Sequence, residues 1–295
     1  MSEIRIDALL PAEMATRAEF LGVRKAEMPF LKMFMLSVLA GAFISLGAIF
    51  ATTVSAGNIA VTLPTGDPAY TTGLPYGLTR LLAGLVFCLG LILVVVGGAE
   101  LFTGNNLIVM AWANGKVSTT ALLRNWAIVY LGNFVGAMGT VVLMFFSRQY
   151  TFGANAVGIT ALRIAVAKCD LTFLQALSLG ILCNGLVCLA VWMTFSARST
   201  VDKIAAIIFP ITAFVAAGFE HSIANMYFVP YALFIKAFDN DFIGQVAEKV
   251  PQLENLTWSA FLMNNLIPVT LGNIIGGAVL VAAIYWTIFL RAENS

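Results

Sequence analysis

Histidine occurs once in the 295 residues, and only 11% of the chain is charged. A soluble globular domain is charged at roughly a quarter of its positions. With 60% hydrophobic residues, the composition excludes a water-facing fold and points to an integral membrane protein. Basic and acidic residues nearly balance, 16 against 15, and no polybasic tract exists. Nucleic acid is therefore not an expected partner. Neither Gly-x-Ser-x-Gly nor His-Glu-x-x-His occurs. A serine, Ser222, adjoins the single histidine, but neighbours along a helix point apart. No enzymatic activity, metal site or cofactor is expected. Cys88, Cys183 and Cys188 lie in apolar runs and Cys169 in a connecting segment, so the cysteines read as small apolar residues rather than disulfides or ligands. The first long apolar run starts only at Phe30, behind a charged, amphipathic start that does not read as a secretory signal.

What the chain does contain is apolar length. A helix needs about 20 apolar residues to cross the hydrocarbon. Six stretches qualify: Phe30–Val54, Leu78–Gly98, Ala127–Phe146, Leu171–Phe195, Ile204–Gly218 with its continuation, and Leu266–Leu290. With the N-terminus inside, ten Lys/Arg fall on the inner side and six on the outer, where Asp67, Asp170, Asp239, Asp241, Glu248 and Glu254 dilute them. The bias favours cytoplasmic termini at both ends. Residues 1–29 form an amphipathic segment before the first span, 30–290 one transmembrane domain, and 291–295 a tail.

Two spans are interrupted. After Leu78–Gly98 comes "AELFTGNNLIVMAW", polar first and apolar again. After Ile204–Gly218 comes "FEHSIAN", then "MYFVPYALFI". Each reads as a half-helix, a polar break and a second half-helix. Non-helical backbone at membrane depth survives only packed in protein or along a cavity, and broken helices mark transport sites. The breaks repeat internally: Glu100 precedes Asn105 by five, and Glu220 precedes Asn225 by five. "NWAIVYLGNFVGA" and "NLIPVTLGNIIGGA" match likewise, and the longer spacing in the second half fits a charged insertion around Lys236–Thr257. The expected fold is all-α and polytopic: two inverted three-span repeats, about 30–147 and 170–290, with broken second and fifth spans meeting near the midplane.

His221 stands at the second break. An intramembrane ionisable group is costly and usually faces a cavity, and imidazole can donate a hydrogen bond or a proton to an anion. Glu100 and Glu220 tempt a reading as a carboxylate pair. The plainer one is that they accept hydrogen bonds from unwound backbone N–H groups and hold the loops, with Asn105 and Asn225 as anchors. A bare carboxylate in the lumen would repel an anion.

"AELFTGN", "LGILCNGLVCLAVWM", "GFEHSIANMYFVP" and "NNLIPVTLGNIIGGA" together resemble the formate/nitrite transporter family, closest to its formate-channel branch, from about Phe30 to Leu290. The resemblance implies a homopentamer in the plasma (inner) membrane and an aquaporin-like protomer with its own pore. It also implies a mobile N-terminal helix at the cytoplasmic mouth. It makes His221 the central pore residue, with Thr103 and Asn184 beside it. Asn184 reads otherwise as an interhelical hydrogen bond. It assigns constrictions to Leu91 with Phe102 and to Phe214 with Val187, and supporting wall to Leu101 and Phe87. Phenylalanine in an apolar helix is otherwise ordinary packing. Lys168 becomes an outer-vestibule cation rather than a solvated lysine. The expected permeant is formate or a similar monovalent weak-acid anion, nitrite, acetate and lactate being neighbours, through a pH-gated channel. A proton-coupled symporter is the alternative. A water/glycerol-type channel ranks last, since no Asn-Pro-Ala occurs.

Overall fold

The computed structural model describes residues 8–57, 59–62, 68–72 and 74–291. Asp67 and the first seven residues of the amphipathic segment lie outside these, as does the tail beyond Arg291. Among these residues six helices are long and apolar enough to cross a membrane. In chain order the elements are α1 (Pro11–Ala26), α2 (Phe30–Val54), a hairpin of β1 (Ile59–Thr62) and β2 (Pro68–Thr72), α3 (Tyr76–Gly97), α4 (Val109–Ala113) and α5 (Thr119–Ser147). Then follow α6 (Ala156–Cys169), α7 (Phe173–Ser196), α8 (Thr200–Ala217), α9 (Ser222–Phe238), α10 (Asn240–Val246) and α11 (Trp258–Phe289). The strands pair antiparallel; the rest of the regular structure is helical.

Local sequence explains where the helices begin. Ser118 caps α5, Thr172 with Gln175 forms a capping box on α7, and Ser199 with Asp202 does so on α8. Each side chain satisfies orphan N–H groups at its helix start. Helices α5 and α11 start earlier than apolar runs alone suggest. Their first turns hold Asn125 and Asn265, both fully buried and hydrogen-bonded, so hydropathy misses them. Parts of α11, Phe261–Leu266 and Ile275–Ala283, are wound as π-helix. Around the axis α2 packs on α3 and α5, α3 on α8, α7 on α8 and α11, and α5 on α9.

The expected breaks are present. Between α3 and α4 the chain leaves the helix at Gly98 and re-enters through a 3₁₀ turn, Gly104–Ile108. Between α8 and α9 it leaves at Gly218 and re-enters at Ser222. Both exits sit in the left-handed region, φ +75° and +78°, which glycine adopts without a Cβ penalty. The segment 156–169, read as part of a connection, is instead a helix. Val157, Ala161, Leu162, Ala165 and Val166 bury one of its faces. The insertion after Lys236 is α10 and short turns, fastened by Lys236 Nζ donating to the Leu253 and Leu256 carbonyls at 2.8 Å.

Candidate functional site

The two breaks are built by the same set of bonds. At the first, Asn105 Nδ2 donates to Glu100 Oε2 (2.8 Å) and Asn125 Oδ1 (2.9 Å). At the second, Asn225 Nδ2 donates to Glu220 Oε2 (2.7 Å) and Asn265 Oδ1 (2.6 Å). The asparagine of each Leu-Gly-Asn supplies the backbone frame. Asn133 Nδ2 donates to the Ser37 and Glu100 carbonyls, and its Oδ1 accepts from the Phe102 N–H. Asn273 Nδ2 donates to the Gly180 and Glu220 carbonyls, and its Oδ1 accepts from the Ser222 N–H. An unwound segment in an apolar core must find partners for its freed backbone groups, and one amide per break supplies two and ties the segment to α2 or α7 with its third bond.

This corrects the expectation for the glutamates. They do not accept from loop N–H groups, because other partners reach those first: Glu100 N–H donates to the Leu36 carbonyl and Glu220 N–H to that of Leu179. The carboxylates are held by side chains instead. Lys25 Nζ donates to Glu100 Oε1 and Lys168 Nζ to Glu220 Oε1, both at 2.8 Å. Lys25 ends α1 and Lys168 ends α6. Their carbonyls match as well, accepting from Asn125 and Asn265. Sequence reading missed Lys25, Asn125 and Asn265 as site residues. A signal was available, since Lys25 precedes Phe30 by five positions and Lys168 precedes Phe173 by five. The internal likeness thus extends to α1 and α6.

His221 and Thr103 join the breaks: Thr103 Oγ1 lies 2.9 Å from His221 Nε2. His221 also caps α9, its Nδ1 accepting from the Ala224 N–H at 3.1 Å. With Nδ1 an acceptor, the neutral ring carries its proton on Nε2 and donates to Thr103. The Thr103 hydroxyl hydrogen is then left to be donated elsewhere. Protonating Nδ1 as well would set two donors face to face.

Two cavities flank this pair. One, of about 310 Å³, is lined by Arg80, Phe87, Lys168, Phe214, Glu220, His221 and other residues; we call it the α6 cavity. The other, of about 320 Å³, is lined by residues including Arg17, Lys25, Leu91, Glu100, Leu101 and Lys203; it is the α1 cavity. Phe87 and Leu91 sit one turn apart on α3 yet face different cavities, so the partition there is about 6 Å thick at helical rise. Phe214 stacks on the His221 ring (centroids 5.9 Å apart) and meets Phe87 edge-on at 5.7 Å.

The remaining candidates are placed differently. Phe102 is buried edge-on against Tyr130 and Trp126, and Val187 lies in the apolar core; neither lines either cavity. Asn184 Nδ2 donates to the Thr103 and Asn273 carbonyls, at 3.2 and 2.7 Å, so it braces the breaks. Helix α1 closes one side of the α1 cavity with Arg17, Gly22 and Lys25. Glu19, nearly buried, is held by Lys116 at 2.6 Å and by Asn114. Among the described residues no cluster of His, Cys, Asp or Glu could hold a metal.

A family model described as formate/nitrite transporter matches residues 12–287. The chain belongs to the formate/nitrite transporter family. It is 45% identical to the formate channel FocA of Escherichia coli K12 over 98% of this chain and 97% of that protein. It is 38% identical to a probable formate transporter of Methanothermobacter thermautotrophicus over 95% and 97%. Among solved structures, a pentameric formate channel with formate bound superposes with a TM-score of 0.79 at 46% identity, covering 89% of this chain and 98% of that one. An FNT-family ion channel does so at 0.75 and 26%, covering 94% and 98%. Family membership fits the two breaks of the chain, which carry one frame with different side chains. Position 101 is leucine where the matching 221 is histidine.

Proposed function

We propose that this chain forms a homopentameric membrane channel for formate and similar small monovalent weak-acid anions, one pathway running through each protomer. The arrangement that carries the reading is a buried His221–Thr103 pair between two cavities, each with a lysine at its wall. The relatives that are formate channels support the same permeant.

The pathway runs from one cavity to the other past Phe87, Phe214, His221, Thr103, Leu91 and Leu101. The lysines raise the local anion concentration. Each is already paired with a glutamate, so the attraction is moderate and the anion is not trapped; conduction needs sites that are weak enough to leave. The apolar rings reject hydrated ions, because stripping water from a charge in a low-dielectric passage is costly. At the centre the Thr103 hydroxyl, itself accepting from His221 Nε2–H, is the donor left for the anion. An anion there accepts a hydrogen bond, which offsets part of that cost. Asn184 and Asn273 hold the backbone of both residues in place. Helix α1, which lines the α1 cavity, gates entry from the cytoplasmic side in a pH-dependent way, with both termini cytoplasmic.

A proton-coupled passage is the second reading. It is favoured by one observation: the central donor is a titratable imidazole bonded to a hydroxyl, so a proton can accompany the anion. The deciding experiment is flux of formate, nitrite, acetate and lactate into liposomes between pH 5 and 8, with and without an imposed proton gradient, for the wild type and His221→Phe. Formate flux that is independent of the gradient supports the channel, and accumulation driven by it supports symport. Absence of any anion flux in the wild type overturns the proposal.

A further inference from the structure

The two half-helices that point into the breaks, α3 and α8, end with their carbonyl groups beside the pathway. A helix C-terminus carries a partial negative charge of roughly half a unit. Its last four carbonyls have no partner inside the helix. At the end of α8 this is a liability for an anion pathway. Val215, Gly218 and Phe219 all line the α6 cavity, next to His221.

One side chain addresses it. Arg80, from the first turns of α3, is half-buried and lines the same cavity. Its Nε donates to the Ala216 carbonyl at 3.2 Å and one terminal nitrogen donates to the Val215 carbonyl. Phe214 O has a backbone partner, accepting from Phe219 N–H. Gly218 N–H turns back to Phe214 and Val215. Arg80 therefore covers the Val215 and Ala216 carbonyls of the α8 terminus. A guanidinium has five N–H donors, and these two bonds leave others for the cavity. Its charge of one unit exceeds the helix-end charge it faces.

The α1 side differs. At the matching helix end Val94 and Val95 of α3 and the following Gly98 line the α1 cavity. Among the described residues no side chain donates to the Val95, Val96 or Gly97 carbonyls. Gly98 and Gly218 match in the repeat, but an arginine 3.5 Å from the Cβ position stands only at Gly218.

We infer that Arg80 is a selectivity-determining residue: by covering the α8 carbonyl end it turns the approach to His221 from anion-repelling to anion-attracting. The inference rests on the proposed anion passage and deepens it. It differs from the part assigned to Lys168, whose ammonium is bonded to Glu220 on the other flank of the cavity.

The test uses Arg80→Met and Arg80→Lys in the full-length oligomer, reconstituted with sided orientation. Formate flux is measured against formate concentration and ionic strength, alongside water permeability as an uncharged control. For Arg80→Met the expected result is a half-saturating formate concentration about tenfold higher for entry from the α6 cavity, in the range a helix-end charge interaction provides. Entry from the α1 cavity and water permeability should change little, and the deficit should shrink as salt rises. Arg80→Lys keeps the charge and loses the paired geometry, so it should recover most of the loss. An equal fall of anion and water flux, a loss independent of salt, or Lys behaving as Met would overturn the inference and make Arg80 a structural cap. Unchanged formate flux in Arg80→Met also overturns it. Absence of formate flux in the wild type instead sinks the underlying proposal.

Discussion

The first and second breaks share a frame and differ in content. Each has a glycine exit, a Glu–Asn pair, a lysine from the helix before that half's first span (α1 or α6) and an Asn that satisfies three backbone groups. The frame is duplicated because unpaired backbone in an apolar core is a cost that neither half can avoid. The content is free to diverge: Leu101 stands where the other half has His221, and Thr103 where it has Ile223. One polar side chain from each half thus meets the other, and a near-symmetric scaffold yields one polar centre. The lysines diverge too. Lys25 binds both Glu100 and Asn105, whereas Lys168 binds Glu220, and Asn225 Oδ1 has no partner among the described residues.

The largest test of this comparison removes the carboxylates. Lys168 and Glu220 side chains are 14% and 7% exposed, Lys25 and Glu100 32% and 5%. Breaking a buried pair leaves an uncompensated charge and costs about 3–5 kcal/mol. Glu220→Ala should pay that in full, since Lys168 has little water to turn to. Glu100→Ala should cost less, because Lys25 can rehydrate. Thermal dissociation of the purified oligomer measures both. A larger loss for Glu100→Ala would show that burial does not rank the two halves.

Next come Asn133→Ala and Asn273→Ala. Each deletes three hydrogen bonds of one geometry, at about 1 kcal/mol each, or about 3 kcal/mol in sum. The same assay should give equal losses. A gap much above 1 kcal/mol would break the equivalence of the frames.

Much of this was legible in the sequence, for reasons that differ by element. The six spans and both breaks could be read because hydrocarbon thickness fixes helix length, and a polar run such as "FEHSIAN" has no other place at that depth. The Glu–Asn pairs were visible because they repeat at one spacing. Lys25 was not. It sits in a segment crowded with Arg17, Glu19, Arg24 and Glu27, where a lone lysine looks like a solvated face. Its partner is 75 residues away. Helix α6 was missed because 14 residues are too short to cross and its apolar face is seen only against α9. The assignment of donors to the glutamates failed because local hydrogen-bond logic names the nearest N–H, while packing delivers carbonyls from α2 and α7 to it.

A smaller effect concerns the contact between the halves. Thr103→Val keeps the volume and removes the hydroxyl, leaving His221 Nε2–H without its partner. The expected cost is about 1–2 kcal/mol, equivalent to roughly tenfold in an equilibrium. It should appear as altered pH dependence of formate flux with an intact oligomer. Ile223→Val, at the matching position, should leave that profile unchanged. Equal changes in both would mean that packing, rather than the bond, sets the profile.

The smallest effect compares the fastenings outside the spans. At one end Glu19 is tied to Lys116 and Asn114. At the other Asp239 accepts from Tyr150 (2.6 Å) and Arg148 (3.0 Å), and its second oxygen takes the Phe242 N–H. These contacts hold the Asp239 carboxyl below its ordinary value, the Tyr150 hydrogen bond first, with burial opposing. Burial, with help from Asp239, pushes Tyr150 up to about 12. The sign follows for the acid. A carboxylate whose folded pKa is lowered contributes stability that is full above the unfolded value, about 3.9, and is lost as pH falls through the lower folded one. Arg148 is well exposed, so screening keeps the contribution to about 0.5–1 kcal/mol. Asp239→Asn should therefore lower the thermal midpoint slightly at neutral pH, and the difference from wild type should vanish once the acid is protonated. Tyr150→Phe should give a similar small loss at neutral pH, since it removes the bond that leads the shift. A deficit in Asp239→Asn that persists undiminished in acid would assign the effect to the shape of the α9–α10 turn instead of its charge.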